Sequence, residues 1–241
     1  MTLGGKTMNK GKQIYEGKAK ILYDTEDPDL LICYFKDDAT AFNALKKGTI
    51  VDKGVINCAV SSKIFRELEA TGIQTHFVEQ LSEREMLVKR VQIIPLEVVV
   101  RNRAAGSLVK RLGRKEGEIL PEPLVEWYYK SDALGDPLLT ENHVKVFRFA
   151  SASDLNTLET YALQVNRFLV PYFDARGIIL VDYKLEFGRA GDAILLADEI
   201  TPDGCRLWDK ETKEKLDKDR FRFDLGKVEE GYQTVYQRVC E

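Results

Sequence analysis

Between Leu180 and Gly188 the chain reads Leu-Val-Asp-Tyr-Lys-Leu-Glu-Phe-Gly, an alternation that an extended strand sorts into two faces. Successive side chains of a strand point to opposite sides. Asp182, Lys184 and Glu186 are therefore expected on one face, and Val181, Tyr183, Leu185 and Phe187 on the other. Apolar runs bracket the strand, at residues 177–180 before it and 193–196 after it. Charge in such a setting is costly unless it is solvated or paired. The face fits a cleft that holds a metal and phosphates; a solvated face carrying surface ion pairs would leave the same pattern.

The strand is expected to form a hairpin, residues 178–187 with 193–200, turned by residues 188–192. If that turn pairs even positions with even, Asp182, Glu186 and Asp198 point to one side. Three carboxylates together repel unless a cation or Lys184 neutralises them. Oxygen ligands without a neighbouring histidine favour Mg²⁺ over Zn²⁺. The chain has two histidines, His76 and His143, which excludes a His-rich metal site.

The rest of the sequence predicts an α+β protein. Residues 20–24 and 30–35 read as a hairpin, 57–69 as a helix with Val60, Ile64 and Leu68 at helical spacing, and 74–79, 86–91 and 93–100 as strands. Residues 104–112 suggest a short helix, Pro121 and Pro123 a loop, and 125–130 a strand. The clearest helix is 153–173, with Leu155, Leu158, Ala162, Val165, Leu169 and Tyr172 as its stripe and Ser153 as its cap; residues 227–239 read as a last helix. A boundary near residue 90 divides the chain into 11–90 and 91–241. Residues 1–10 read as a disordered extension without an apolar signal core.

Composition narrows the function. The 36 basic and 39 acidic residues leave a net charge of −3, which argues against bulk nucleic-acid binding. No apolar run approaches the roughly 18 residues of a membrane span. Cys33, Cys58, Cys205 and Cys240 are scattered and read as reduced thiols of a cytosolic protein.

Further constellations stand beside the hairpin. Gly17-Lys18-Ala19-Lys20 can lay backbone N–H groups and ammonium charge along a triphosphate, or can be an exposed hairpin with lysines; it lacks P-loop spacing. Residues 101–107, Arg-Asn-Arg-Ala-Ala-Gly-Ser, put two guanidiniums at a strand end and Ser107 at a helix start, a cradle for a phosphate monoester or carboxylate, or an ordinary charged loop. The turn at Pro202-Asp203-Gly204 is expected to return Asp203 and Arg206 towards the charged strand, with Trp208 packing. Residues 35–43, including Asp38 and Asn43, can hold substrate amines or hydroxyls, or cap a turn. The mixed charges of residues 209–222 read as a solvated face. Taken together, these sites describe an enzyme using ATP and Mg²⁺ on an anionic second substrate.

Residues 93–107 and 180–188, with Gly17–Lys20 and Pro202–Trp208 in the same order, resemble the SAICAR synthetase family from about Gln13 to Val239. The resemblance implies a small antiparallel ATP-binding domain, similar to a kinase N-lobe and spanning 11–90, packed on a larger α+β substrate- and metal-binding domain. It implies a cytoplasmic ligase of purine biosynthesis that joins L-aspartate to carboxyaminoimidazole ribonucleotide (CAIR) with ATP, commonly as a homodimer, and without nucleic-acid or membrane partners. By that likeness Lys18, Ala19 and Lys20 contact the ATP phosphates; Val88, Lys89 and Val91 form the adenine hinge; Glu186 and Asp198 hold Mg²⁺; and Arg101, Ser107 and Arg206 bind the nucleotide substrate. Asp38 is a further substrate-binding candidate. Lys184 and Asp182 are the catalytic candidates, Lys184 to neutralise an acyl phosphate, with a simple Lys184–Asp182 pair as the alternative. Asn43-Ala44 departs from the family pattern, and the role of Asn43 is left open. A kinase-like phosphotransferase is the competing enzyme, and a nucleotide- or RNA-binding module the competing non-enzyme.

Overall fold

The computed structural model describes residues 9–41 and 45–241; the start of the expected extension and Asn43 lie outside the described residues. The chain opens with strands β1 (Gln13–Glu16), β2 (Lys20–Asp24) and β3 (Leu30–Phe35). A small ribbon follows, β4 (Asp38–Ala41) with β5 (Lys46–Thr49). Helix α1 (Lys53–Ala70) leads to β6 (Phe77–Gln80) and β7 (Glu85–Lys89). The larger strands and helices come next: β8 (Gln92–Arg103), α2 (Ser107–Leu112), β9 (Ile119–Tyr129), β10 (Leu138–Leu139), α3 (Glu141–Val146) and α4 (Ala152–Asp174). The chain closes with β11 (Ile178–Ala190), β12 (Ala193–Ala197), β13 (Cys205–Asp209), α5 (Asp219–Arg222) and α6 (Val228–Cys240).

One antiparallel sheet has the order β1-β2-β3-β7-β6 and carries α1. The other runs β10-β9-β8-β11-β12, with α4 packed on β11 and β8. The hairpin of residues 20–35 forms with the expected bounds. Helix α1 begins four residues before the expected start at residue 57, because its cap is not local. Asp52 makes no side-chain cap, and Asp37 accepts from the Gly54 N–H at 2.8 Å instead. The expected apolar stripe of α4 is buried in full. Its cap is Ser151 rather than Ser153, since only Ser151 completes a reciprocal capping box with Asp154. Pro121 and Pro123 lie inside β9, not in a loop. On one edge β10 pairs only with Trp127 and Tyr128, and on the other the β8 register jumps from Leu124 to Ile119, so neither ladder needs the missing prolyl N–H groups.

Strand β11 has β8 on one edge and shares its other edge between β13, along Ile178–Tyr183, and β12, along Glu186–Ala190. The turn is tighter than expected, at Gly191-Asp192, and pairs even positions with odd: Glu186 opposes Ala197 and Phe187 opposes Leu196. The condition for three carboxylates on one side is therefore not met by register. Val181 also departs from the expected face. A register shift against β13 falls between Leu180 and Asp182, and Val181 joins a small cluster with Ala105 and Trp208, while Tyr183, Leu185 and Phe187 enter the main core.

Residues 209–222 are a solvated face only in part: residues 210–214 are exposed, and the rest turns inward. Asp217, Asp219 and Arg220 are buried. Asp217 accepts from the Leu207 and Asp219 N–H groups at 2.8 and 2.7 Å, and burial together with the Asp219 carboxylate pushes it up to about 7. The alternating signs mark an internal ion network, which reads the same as a wet surface in a sequence. Among the described residues no helix is long and apolar enough to cross a membrane, and all four cysteines are free thiols.

Candidate functional site

A cavity of about 700 Å³ is walled by residues of both sheets. Lys18, Ala19, Lys20, Val88, Lys89, Val91, Arg101, Asp182, Lys184, Glu186, Asp198 and Arg206 all line it. Ser107 and Asp38 do not: Ser107 sits behind Arg101, and Asp38 pairs with Lys36 at 2.7 Å on the outside.

At one end the turn between β1 and β2 closes with the Gly17 N–H donating to the Lys20 carbonyl at 2.8 Å. Lys18 is half-exposed and pairs with Asp132. Lys20 points inward to Asp198 and lies 3.5 Å from Glu199. Burial opposes its charge, but those two carboxylates outweigh burial and hold the ammonium above the ordinary lysine range. Leu22, Leu31, Cys33, Val88 and Val91 make this end apolar. Gly188 is needed here, because a Cβ would run into Val91. His76 also faces this end, and burial, helped by the Lys20 ammonium, pushes it down to about 3, so the imidazole is neutral.

In the middle, the Lys184 Nζ donates to Glu186 at 2.7 Å and Glu97 at 2.9 Å, with Asp198 at 3.9 Å. Asp182 is absent from its partners, so the simple Lys184–Asp182 pair is not formed. Burial disfavours the Lys184 charge, yet Glu186, Asp198 and Glu97 together raise its pKa well above the model-peptide range. Glu186 also takes Lys130 at 2.8 Å. Asp198 reaches the cluster without help from register, because it turns out of β12 in a left-handed conformation with φ of 62°. Burial works to raise its carboxyl, and Lys20 and Lys184 overcome this and hold it well below the usual carboxylate range. Burial instead raises Glu199, one of whose oxygens is buried with no hydrogen-bond partner.

Among the described residues no three metal-ligating side chains form a ready cage. The donors do fit a hard divalent cation: Glu186, Asp198 and Glu199 offer oxygens only, and one Glu199 oxygen makes no hydrogen bond, with the Lys20 ammonium 3.5 Å away.

At the other end Asp182 is clasped by two guanidiniums, from Arg101 at 2.6 Å and Arg206 at 2.9 Å. Arg101 also donates to Glu126 at 2.7 Å and to Ser107 Oγ and Tyr128 Oη at 3.2 Å. Asp219 fixes Arg206 from behind at 2.9 Å. Gly106 lies against that guanidinium: at φ of 56°, a Cβ there would come within 2.5 Å of Nη2. The glycine of the Arg101–Ser107 motif is thus demanded twice, by conformation and by contact.

The loop joining β12 to β13 carries Asp198, Glu199 and Asp203, and it is fastened from below. The fully buried Lys53 of α1 donates to Asp203 at 2.8 Å, and the Tyr232 hydroxyl of α6 donates to the same carboxylate. Ser61 of α1 accepts from the Ile200 N–H at 3.2 Å. Asp203 and Arg206 do return to the charged strand, as the turn signal implied; the Gly204 carbonyl accepts from the Lys184 N–H at 3.0 Å.

Glu97, Lys130, Glu199 and the Lys53–Asp203 pair were missed in the sequence. Glu97 had a signal, a lone carboxylate inside the apolar run of residues 93–100. Lys130 and Lys53 had none, since their partners lie 56 and 150 residues away.

A sequence model of the SAICAR synthetase family matches residues 13–239. The chain is 57% identical over 235 residues to a phosphoribosylaminoimidazole-succinocarboxamide synthase of Magnetococcus marinus, covering 96% of this chain and 97% of that protein. Its structure is similar to the crystal structure of the synthase from Ehrlichia chaffeensis, with a TM-score of 0.93 and 45% identity over 95% of this chain and 98% of that one. It is also similar to a SAICAR synthetase solved in complex with ADP, with a TM-score of 0.90 and 50% identity over 93% and 96% of the two chains.

Proposed function

The chain belongs to the SAICAR synthetase family, and on that footing we propose that it joins L-aspartate to the carboxylate of CAIR in de novo purine biosynthesis, converting ATP to ADP and phosphate. One observation carries the reading of the site. A single cavity has an apolar, lysine-bearing end and a twin-arginine end, and Lys184 stands between them among carboxylates.

A carboxylate is a poor electrophile, and phosphorylation gives it a leaving group. A CAIR carboxylate oxygen attacks the γ-phosphorus, and the bond to ADP breaks. The α-amine of aspartate then attacks the acyl carbon, loses a proton, and phosphate departs. The protein's part is positioning and charge neutralisation. Val88, Lys89 and Val91 hold the adenine end, and Lys18, Ala19 and Lys20 follow the phosphates. Arg101 and Arg206 anchor the ribonucleotide phosphate, with Asp182 setting the two guanidiniums side by side; Ser107, outside the cavity wall and bonded to Arg101, stays a candidate for the same substrate. Lys184 offsets charge on the acyl phosphate. Glu186 and Asp198, with Glu199 beside them, would hold Mg²⁺, which when bound neutralises the phosphate oxygens of ATP. Asp38 stays a substrate-binding candidate, outside the cavity wall. The division at residue 90 into an ATP-binding part and a substrate-binding part, a cytoplasmic location and a homodimer belong to the same proposal.

Isotope transfer tests it. With CAIR labelled with ¹⁸O in its carboxylate, ATP and L-aspartate, the label is expected in the released phosphate, and phosphate release is expected to require aspartate. Unlabelled phosphate would rule out the acyl phosphate. ADP formed at full rate without aspartate would mark a phosphotransferase instead.

A further inference from the structure

Asn102 lies between the two arginines of the Arg101–Arg103 segment, and the ligation chemistry gives it no task. Its side chain turns away from the cavity to α4. The Asn102 amide donates to Asn166 Oδ1 at 2.9 Å, and Asn166 returns the bond to Asn102 Oδ1 at 2.9 Å. Asn102 also reaches the Leu180 carbonyl of β11 at 3.4 Å. Asn166 is 5% exposed and interrupts a stripe that is otherwise apolar, between Ala162, Val165 and Leu169. A buried amide there, paired with the half-buried Asn102, needs a reason, because apolar side chains would fill the space without the desolvation cost.

The reason is where the ladders fail. β8 and β9 lose register between Arg101 and Arg103, and β11 and β13 lose register between Leu180 and Asp182. Arg101 and Asp182 are direct partners across β8 and β11, so both irregularities fall beside the pair that carries the guanidinium clasp. Bulged strands leave side-chain direction less fixed by backbone bonds. The amide pair supplies the missing constraint, tying β8, and through the Leu180 carbonyl β11, to the rigid helix α4.

We propose that Asn166, acting through Asn102, is a positioning residue that aims Arg101, held by Asp182, at the ribonucleotide substrate. This rests on the assignment of the twin-arginine end to CAIR. The test compares Asn166→Ala with the double variant Asn102→Leu/Asn166→Leu, reading melting temperature and the KM values for CAIR and ATP. Asn166→Ala is expected to lower the melting temperature and to raise the CAIR KM about tenfold, since small misplacements of positioning groups are amplified in binding and rate. The ATP KM is expected to stay within about twofold. The double variant removes both amides together, so stability is expected to recover while the CAIR KM stays raised. An unchanged CAIR KM in Asn166→Ala, an equal rise in both KM values, or a CAIR KM that recovers with stability in the double variant overturns the proposal. If Arg101→Ala leaves the CAIR KM unchanged, the reading of that end itself fails; a raised value there with an unchanged one in Asn166→Ala removes only the amide pair's role.

Discussion

Lys184→Met is expected to lower turnover about 1000-fold, the scale seen when one preorganised charge is removed from a developing anion. Lys184 has this weight because of its surroundings. Glu97 and Glu186 hold its Nζ at 2.9 and 2.7 Å, and the backbone N–H is fixed to the Gly204 carbonyl at 3.0 Å. The charge therefore waits in place, with no reorganisation needed as the phosphoryl group arrives. Both KM values are expected to move much less than turnover, because the lysine acts on charge that exists only during transfer. Lys184→Arg is not expected to rescue, since a planar fork does not fit a point-charge seat between two carboxylates. Turnover within about tenfold of the parent enzyme would remove Lys184 from the chemistry. Part of any loss comes from the carboxylates stripped of their partner, so circular dichroism at the assay temperature accompanies the kinetics.

Arg101→Ala is expected to raise the CAIR KM about 100-fold and leave the ATP KM within about twofold, as losing a charge-assisted fork on a phosphate does. Steady-state kinetics with each substrate varied in turn reads the difference. The arginine is 3% exposed and pairs with Asp182 and Glu126, so its removal leaves Asp182 to Arg206 and Glu126 to Arg111 and Tyr128. With those partners kept, the stability loss is expected to fall below the roughly 3–5 kcal/mol of a buried charge left wholly unpaired. Arg101→Lys therefore accompanies it. The lysine keeps the charge and loses the fork, and is expected to hold stability better while still raising the CAIR KM. Equal increases for CAIR and ATP in both variants would refute the anchor.

Much of this was legible in the sequence where the cause is local. The alternation through Leu180–Gly188 declared its strand, the stripe of α4 declared its buried face, and the two arginines around the 202–206 turn and the 101–107 segment do meet at Asp182. What stayed hidden depends on long-range geometry. The even-to-even register failed because the turn is Gly191-Asp192, yet Asp198 reached the cluster by a left-handed backbone that no pattern of polarity records. Val181 changed sides at a register shift. The start of α1 depended on Asp37, and residues 215–220 of the apparent surface turned inward because their charges find partners within the fold, while 210–214 stayed exposed. Glu97 is the instructive miss, since its isolation among apolar neighbours was visible from the outset.

The fastening of the acidic loop to α1 has a consequence for how the chain comes apart. Lys53 and Ser61 stand before residue 90, while Asp203, Ile200 and Tyr232 stand after it. A fragment ending near residue 90 would keep an ammonium from a dry setting and lose its counterion, and the remaining fragment would keep Asp203 with only Tyr232 and Lys218. A cut near residue 90 is therefore expected to leave neither piece self-sufficient, and heating is expected to show one cooperative melt in which the nucleotide wall and the acidic loop are lost together.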